Sequence, residues 1–205
     1  ERGHLNSLTD VREIKRVTET TPATCYSCKS SNNPGLWTKY GMAGYDAMKF
    51  SEMTPQIVEP IGCANCHDPQ TMKLIVTNPG LEEGLKAQGK DWTKFTRQEM
   101  RTVVCANCHV TYYFAPDKNG NKNYLTFPWS KGTNIDQIDQ YYQEVGFADW
   151  VYPDANIQMI KVRHPEYELF SADSTHYKAG VACADCHMPY TRDGAAKYST
   201  HDVKS

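Results

Sequence analysis

Long apolar runs are missing from this chain: no stretch approaches the ~18 consecutive apolar residues of a membrane-spanning helix, and the mean hydropathy is -0.65. Charge of one sign is missing too. Twenty-two Lys and Arg against 24 Asp and Glu leave a net charge of -2 with no basic tract, so nucleic acid is not an expected partner. Spare cysteine is also absent, because all 8 cysteines fall into four Cys-x-x-Cys pairs and none remains for a disulfide between segments. With 40% hydrophobic residues in 205, the polypeptide core is thin for its length, and something other than side chains is expected to fill the interior.

The four pairs are followed by a possible iron ligand each: CYSCK at residues 25–29, CANCH at 63–67, CANCH at 105–109 and CADCH at 183–187. Cys-x-x-Cys-His is the attachment signature of c-type haem. Two thioethers clamp the porphyrin edge, and the next residue turns under the iron as its proximal ligand. Cys25 and Cys28 with Lys29, Cys63 and Cys66 with His67, Cys105 and Cys108 with His109, and Cys183 and Cys186 with His187 therefore predict four covalent haems c. Zinc would pair two Cys-x-x-Cys units into a closed tetrahedral set. Neither zinc nor a disulfide within each pair explains a basic residue after every pair.

The spacing of Val11, Ile14 and Val17 predicts a short helix within residues 1–20, with Arg12 and Arg16 one turn apart on a shared face. A turn is expected at residues 32–35 (NNPG), a weak helix over 40–53, and a turn at Asp68 and Pro69. A helix from Thr96 should run into the third motif. Residues 115–134 read as a surface excursion with Asn119 and Gly120 at a hairpin tip. A helix over 135–147 follows, then a break at Pro153 and Asp154. A second long helix is expected from near Asp154, ending at or before His164, because Pro165 disfavours helical dihedrals in the residue before it. Trp37, Trp92, Tyr113, Phe114, Phe127, Trp129 and Trp150 are assigned to core or haem packing. The fold class is mainly α with long loops and little β: a compact multihaem cytochrome c.

Seven histidines less the three proximal ones leave His4, His164, His176 and His201. If three haems carry two histidines each, three of these four are distal ligands. Lys29 stands apart, since a primary amine binds iron only when deprotonated and must be desolvated to do so. Simple electron transfer does not require that difficulty. An odd ligand on one haem marks a site with a different task and an open distal position for substrate.

CYSCKS, RGHLNSLTDVREIKR, CANCHVTYYF, KVRHPEYE and CADCHMPY together resemble the pentahaem cytochrome c nitrite reductases that form ammonium, from the first residues to the last. The resemblance implies that the Lys29 haem is catalytic, with Arg16, Tyr112 and His164 on its distal side. It implies His4 as distal ligand of the third haem, His201 of the second, and His176 of a fifth. The chain departs from the family in having no fifth haem motif, no histidine for the distal side of the fourth haem, and none of the long C-terminal helices that carry subunit contacts. Residues 1–205 are therefore expected to be part of such a domain, and poor or absent ammonium formation is expected of this piece alone.

The resemblance also bears on calcium. The family's common form places a glutamate just before the active tyrosine and a glutamine just before the active histidine as calcium ligands, where this chain has Thr111 and Arg163. A permanent guanidinium has no acceptor and cannot bind calcium, but it supplies charge of the same sign. No calcium is expected, Arg163 taking its place and Lys161 being an ordinary neighbour. The expected partners are nitrite, a quinol-linked or cytochrome electron donor and, in the complete protein, a second copy in a homodimer. The expected location is periplasmic or otherwise extracytoplasmic, with an export signal removed or upstream. The alternatives are a non-catalytic multihaem electron carrier, or hydroxylamine or sulfite reduction at the same haem.

Overall fold

A computed structural model describes residues 2–203 of the chain. Two short helices open it, α1 (Arg2–Leu5) and α2 (Ser7–Glu13). α2 buries Leu8 and Val11 and ends at an extended Ile14. The expected common face of Arg12 and Arg16 is therefore not formed. Arg12 stays on the helix and donates to the Tyr26 hydroxyl (3.1 Å) and the Ile57 carbonyl (2.5 Å), while Arg16 lies beyond the helix end. The β-branched run at residues 17–21 favours extended and turn backbone over helix, and the Thr21 hydroxyl accepts from Thr18 N–H at 2.8 Å.

The stretch at 32–35 is not a free turn, because Pro34 sits in the first turn of α3 (Asn33–Ala47), where its missing N–H costs nothing. α3 kinks at Gly41 (φ 66°, ψ 163°). An extended Met48 then separates it from α4 (Phe50–Met53), so the helix expected over 40–53 is broken in two places. Asp68 Oδ1 accepts from Thr71 N–H at 2.7 Å and closes the expected turn there. α5 (Pro79–Ala87) had no sequence expectation. α6 (Arg97–Val103) starts at Thr96, whose hydroxyl accepts from Glu99 N–H while the Glu99 carboxylate accepts from Thr96 N–H; it runs through a 3-10 turn into the third motif as expected.

β1 (Tyr113–Ala115) and β2 (Tyr124–Thr126) form the expected hairpin with Gly120 at its tip (φ 83°). Its return is no surface excursion: Leu125, Phe127 and Trp129 are buried. α7 (Ile135–Val145) matches the helix expected over 135–147 and stops at Gly146, left-handed at φ 65°. The long helix expected after Asp154 does not exist. Residues 150–159 form the hairpin β3 (Trp150–Tyr152) and β4 (Ile157–Met159), with Trp150 opposite Met159. Aromatic and β-branched residues flank a Pro-Asp turn, and that local chemistry prevails over the helical spacing. Trp150 is exposed there rather than packed in the core. α8 (Glu166–Ser171), α9 (Thr175–Lys178) and α10 (Cys183–His187) follow, then the hairpin β5 (Tyr190–Asp193) and β6 (Ala196–Ser199).

The fold is mainly helical, with strands confined to three two-stranded hairpins among the described residues. Buried apolar side chains form three clusters rather than one. One lies around motif 1 (Tyr26, Tyr45, Met53, Ile57), one around motif 3 (Leu81, Leu85, Val110, Trp129), and a smaller one holds Tyr113 and Tyr142. A single contiguous core is the usual arrangement in a domain. Its division here agrees with a chain built around groups other than its own side chains. Among the described residues no helix is long and apolar enough to cross a membrane.

Candidate functional site

The residue before the second cysteine of three motifs ties that motif to another part of the chain. In motif 2 it is Asn65, whose amide donates to the Ser30 carbonyl at 2.9 Å, beside Lys29. In motif 3 it is Asn107, which donates to Asn65 O (3.3 Å) and accepts from Thr77 N–H (3.1 Å) and Asn78 N–H (3.0 Å). In motif 4 it is Asp185, which accepts from the buried Arg101 at 2.9 Å. Sequence reasoning overlooked these residues. The repetition of CANCH and the acidic variant CADCH were the signal that could have exposed them.

Thiols of different motifs also meet. Cys28 Sγ lies 3.7 Å from the Asn107 carbonyl, and the Cys28 and Cys108 thiols, like those of Cys105 and Cys183, are close enough to perturb one another, so motif 3 lies against motifs 1 and 4. All eight cysteines are free. Among the described residues no group of three or more His, Cys, Asp or Glu side chains converges as a metal-ion cage.

Two of the expected histidine pairs face one another. The His4 and His109 ring centroids are 6.3 Å apart, and those of His67 and His201 are 6.1 Å apart. A metal-bound imidazole nitrogen sits about 2 Å from its ion, so two rings on opposite sides of one ion have centroids roughly 6 Å apart. The side chains thus fit a haem iron held between each pair. His67 Nδ1 lies 2.8 Å from the Met72 carbonyl, which only accepts. Nδ1 is therefore the protonated nitrogen, and Nε2 is left with its lone pair for a metal. Burial foremost, then the nearby His109, lowers the pKa of His4 and keeps it the neutral imidazole that a ligand must be. His176 is exposed on α9.

Arg16, Lys29, Tyr112, Lys161, Arg163 and His164 influence one another or Cys25 electrostatically around motif 1. Ser7 Oγ donates to the Lys29 carbonyl at 2.7 Å, and Lys29 N–H donates to Tyr26 O at 2.9 Å, so the lysine leaves a tight turn. The charge of Lys29 acts on His164, and those of Arg16 and Arg163 both act on Tyr112. Arg16, Lys161 and Lys29 all act on Cys25. Burial above all pushes the Tyr112 phenol up to about 12, so it remains a proton-bearing donor. Burial is also the main cause of a lowered His164 pKa, opposed by Glu166 and helped by Lys29, His109 and Arg163. His164 is left-handed at φ 49°, although a following proline favours extended backbone, and the residue is exposed, so the burial acting on its ring is only partial.

The segment that carries His164 is bolted to motif 3. Tyr167 N–H donates to His109 O at 3.1 Å, and the Glu166 carboxylate lies 3.9 Å from His109 Nδ1. Glu168, buried and also overlooked from sequence, accepts with one oxygen from Thr111 N–H (2.9 Å) and Trp129 Nε1–H (2.8 Å). Thr111 Oγ1 in turn donates to Lys161 O (3.3 Å) and accepts from Arg163 N–H (3.2 Å). Asp149 faces both Lys161 (3.3 Å) and Arg163 (3.7 Å). The segment carrying Tyr112 into β1 and the loop carrying His164 are thereby fixed relative to each other.

The cytochrome c552 family model matches residues 1–205 without remainder. The chain belongs to that family. It is 44% identical to a cytochrome c-552 of Parabacteroides distasonis over 100% of this chain and 42% of the relative. It is 41% identical to a cytochrome c-552 of Maridesulfovibrio salexigens over 99% of this chain and 43% of the relative. Among solved structures it resembles the catalytic subunit of the cytochrome c nitrite reductase of Desulfovibrio desulfuricans, described with two calcium sites, at a TM-score of 0.86 and 40% identity. That match covers 98% of this chain and 46% of the other. The chain thus spans about four-tenths of the length of the curated relatives it matches. It is a multihaem c-type cytochrome with a haem-dependent redox function.

Proposed function

We propose that this chain carries the active site of an ammonium-forming nitrite reductase, in which Lys29 is the proximal ligand of the catalytic haem and Arg16, Tyr112 and His164 line its distal side. The observation that carries this reading is that Arg16, Lys161 and Arg163 act electrostatically on Cys25 and Tyr112 beside Lys29, with Asp149 the one carboxylate paired to Lys161 and Arg163 among the described residues. That excess of positive charge, counted without Lys29, which is neutral as an iron ligand, suits a small oxyanion.

When bound, the haems would relay six electrons, one at a time, from the external donor and offer an iron to the nitrite nitrogen. The chain's own residues do the rest. Arg16, permanently charged, holds the nitrite oxygens and supplies field rather than protons. Tyr112 keeps its proton and donates a hydrogen bond. His164, whose intrinsic pKa lies closest to neutrality, passes protons to the oxygens as N–O bonds break. Its lowered pKa means that it works from the neutral side, taking up each proton before delivering it.

His67 with His201, and His109 with His4, are the axial ligand pairs of the second and third haems in this reading, supported by their ring separations. His187 is the proximal ligand of the fourth haem, and His176 serves a fifth haem outside this sequence. Motif 3, whose cysteines neighbour those of motif 1 and of motif 4, would hold its haem between the other two. The site needs no calcium: the Thr111 hydroxyl already caps the Lys161 carbonyl, and the Arg163 guanidinium supplies the positive charge. Covalent c-haem assembly places the protein outside the cytoplasm, with a quinol-linked or cytochrome donor and a homodimeric complete form.

Ammonium yield from nitrite, measured on the full-length haem-loaded protein with a strong artificial donor, tests the reading. Six electrons consumed per ammonium is the expected result. Fully loaded protein that cycles its haems without consuming nitrite, hydroxylamine or sulfite would instead be an electron carrier. Preference for either of the last two substrates would move the assignment to that reaction.

A further inference from the structure

Arg101, on the helix leading into motif 3, is a buried guanidinium that takes no part in the proposed chemistry. Its side chain is 5% exposed. Nη2 donates to Asp185 Oδ1 at 2.9 Å, inside motif 4, and Nη1 donates to Ser199 Oγ at 2.6 Å. The guanidinium carbon lies 4.6 Å from the ring centroid of Tyr190. Asp185 is fixed further by Gln98 (2.6 Å) and by Ala182 N–H (2.8 Å). Ser199 closes β6, and Tyr190 opens β5 opposite it. Two residues after Ser199 comes His201, whose ring faces His67 of motif 2.

We propose that Arg101 is the positioning residue for His201: by gripping both strands at the open end of the β5–β6 hairpin against motif 4, it holds that imidazole opposite His67 and so sets the coordination of the second haem. The inference rests on the reading of His67 and His201 as one ligand pair and is independent of the substrate. A free two-stranded hairpin is marginal in water, and every residue of this one is exposed except Ser199, which is half-buried. The hairpin therefore relies on its anchors. A buried guanidinium needs its acceptors as much as they need it, and only a planar fork reaches Asp185 and Ser199 at once. Lysine, a single point donor, cannot replace it.

Four variants of the full-length haem-loaded protein test the clamp, read by mass for covalent haem and by electron paramagnetic resonance for ferric spin state. H201A defines the signature of a second haem that has lost its distal ligand. R101M is expected to keep every covalent haem and to convert one low-spin signal to that signature, with R101K failing to restore it. S199A, which leaves Asp185 paired, is expected to raise uptake of added imidazole at the second haem several-fold, and it decides the matter if R101M does not mature. An H201A spectrum equal to that of the parent would overturn the ligand pair and the clamp together. A changed H201A with unchanged R101M and S199A would overturn the clamp alone, as would full restoration by R101K.

Discussion

The backbone N–H of Thr111 donates to Glu168 Oε1 at 2.9 Å. Thr111 immediately precedes Tyr112, and Glu168 lies four residues after His164. One buried carboxylate oxygen thus sets the spacing between the two segments that deliver the proposed pocket residues, while also holding Trp129 Nε1–H at 2.8 Å. Its second oxygen is buried without a hydrogen-bond partner.

Glu168→Leu leaves the Thr111 and Trp129 donors buried without an acceptor, at a cost of about 1–3 kcal/mol each. It should lower the denaturation midpoint and displace Tyr112 from His164. Turnover should fall further than haem content does, and Glu168→Gln, which keeps an acceptor oxygen, should recover most of both.

Glu168 also predicts a pH dependence. Burial raises its pKa from 4.5 to about 7 in the folded chain. The folded state then binds the proton more tightly than the unfolded one. The associated stability is complete below about 4.5 and lost as the pH rises through about 7. The difference between parent and E168Q stability should therefore shift against the parent across that window, by on the order of 3 kcal/mol. Asp46, raised by burial to about 7 as well, is common to both proteins and cancels. A flat difference profile in chemical denaturation would show that Glu168 titrates normally.

Lys29→His should retain the covalent haem, since Cys25 and Cys28 are untouched, and should impair nitrite turnover because the proximal ligand tunes the iron. Haemochrome spectra beside steady-state rates check both halves. Three haems in place of four on residues 1–205 of the parent, with the CYSCK peptide unmodified, would mean that Lys29 marks no haem or that the host lacked attachment machinery for that motif.

Calcium chelation should leave nitrite reduction unchanged. Arg163→Gln alone should not create a calcium site, because Thr111 offers a hydroxyl and no carboxylate. Activity lost on chelation and restored by calcium alone would refute the role given to Arg163.

Within the pocket, His164→Ala should cut turnover while sparing haem assembly, and Arg16→Ala should raise the KM for nitrite as well as lower kcat. Tyr112→Phe isolates the hydroxyl from the ring. Near-normal rates in the His164 and Arg16 variants, with all haems present, would place the chemistry elsewhere.

Covalent chemistry was legible in the sequence because it is local. Two cysteines and the next residue specify an attachment and a proximal ligand within five positions, and the unusual Lys29 stands out by simple comparison with His67, His109 and His187. Short-range caps and turns, such as Thr96 with Glu99 or the Asp68 turn, were equally readable. The helix expected after Asp154 failed because a ten-residue window cannot weigh helical spacing against a Pro-Asp turn between two β-favouring stretches. The resemblance implied that His4 pairs with His109 and His201 with His67, but no local pattern did, and only the tertiary structure brings those rings within about 6 Å across more than a hundred residues each. Only there did Arg101, Glu168, Asn65 and Asn107 emerge from apparently ordinary polar positions. A buried charge or amide is recognised by the partners that satisfy it, and those partners are chosen by the fold rather than by neighbouring sequence.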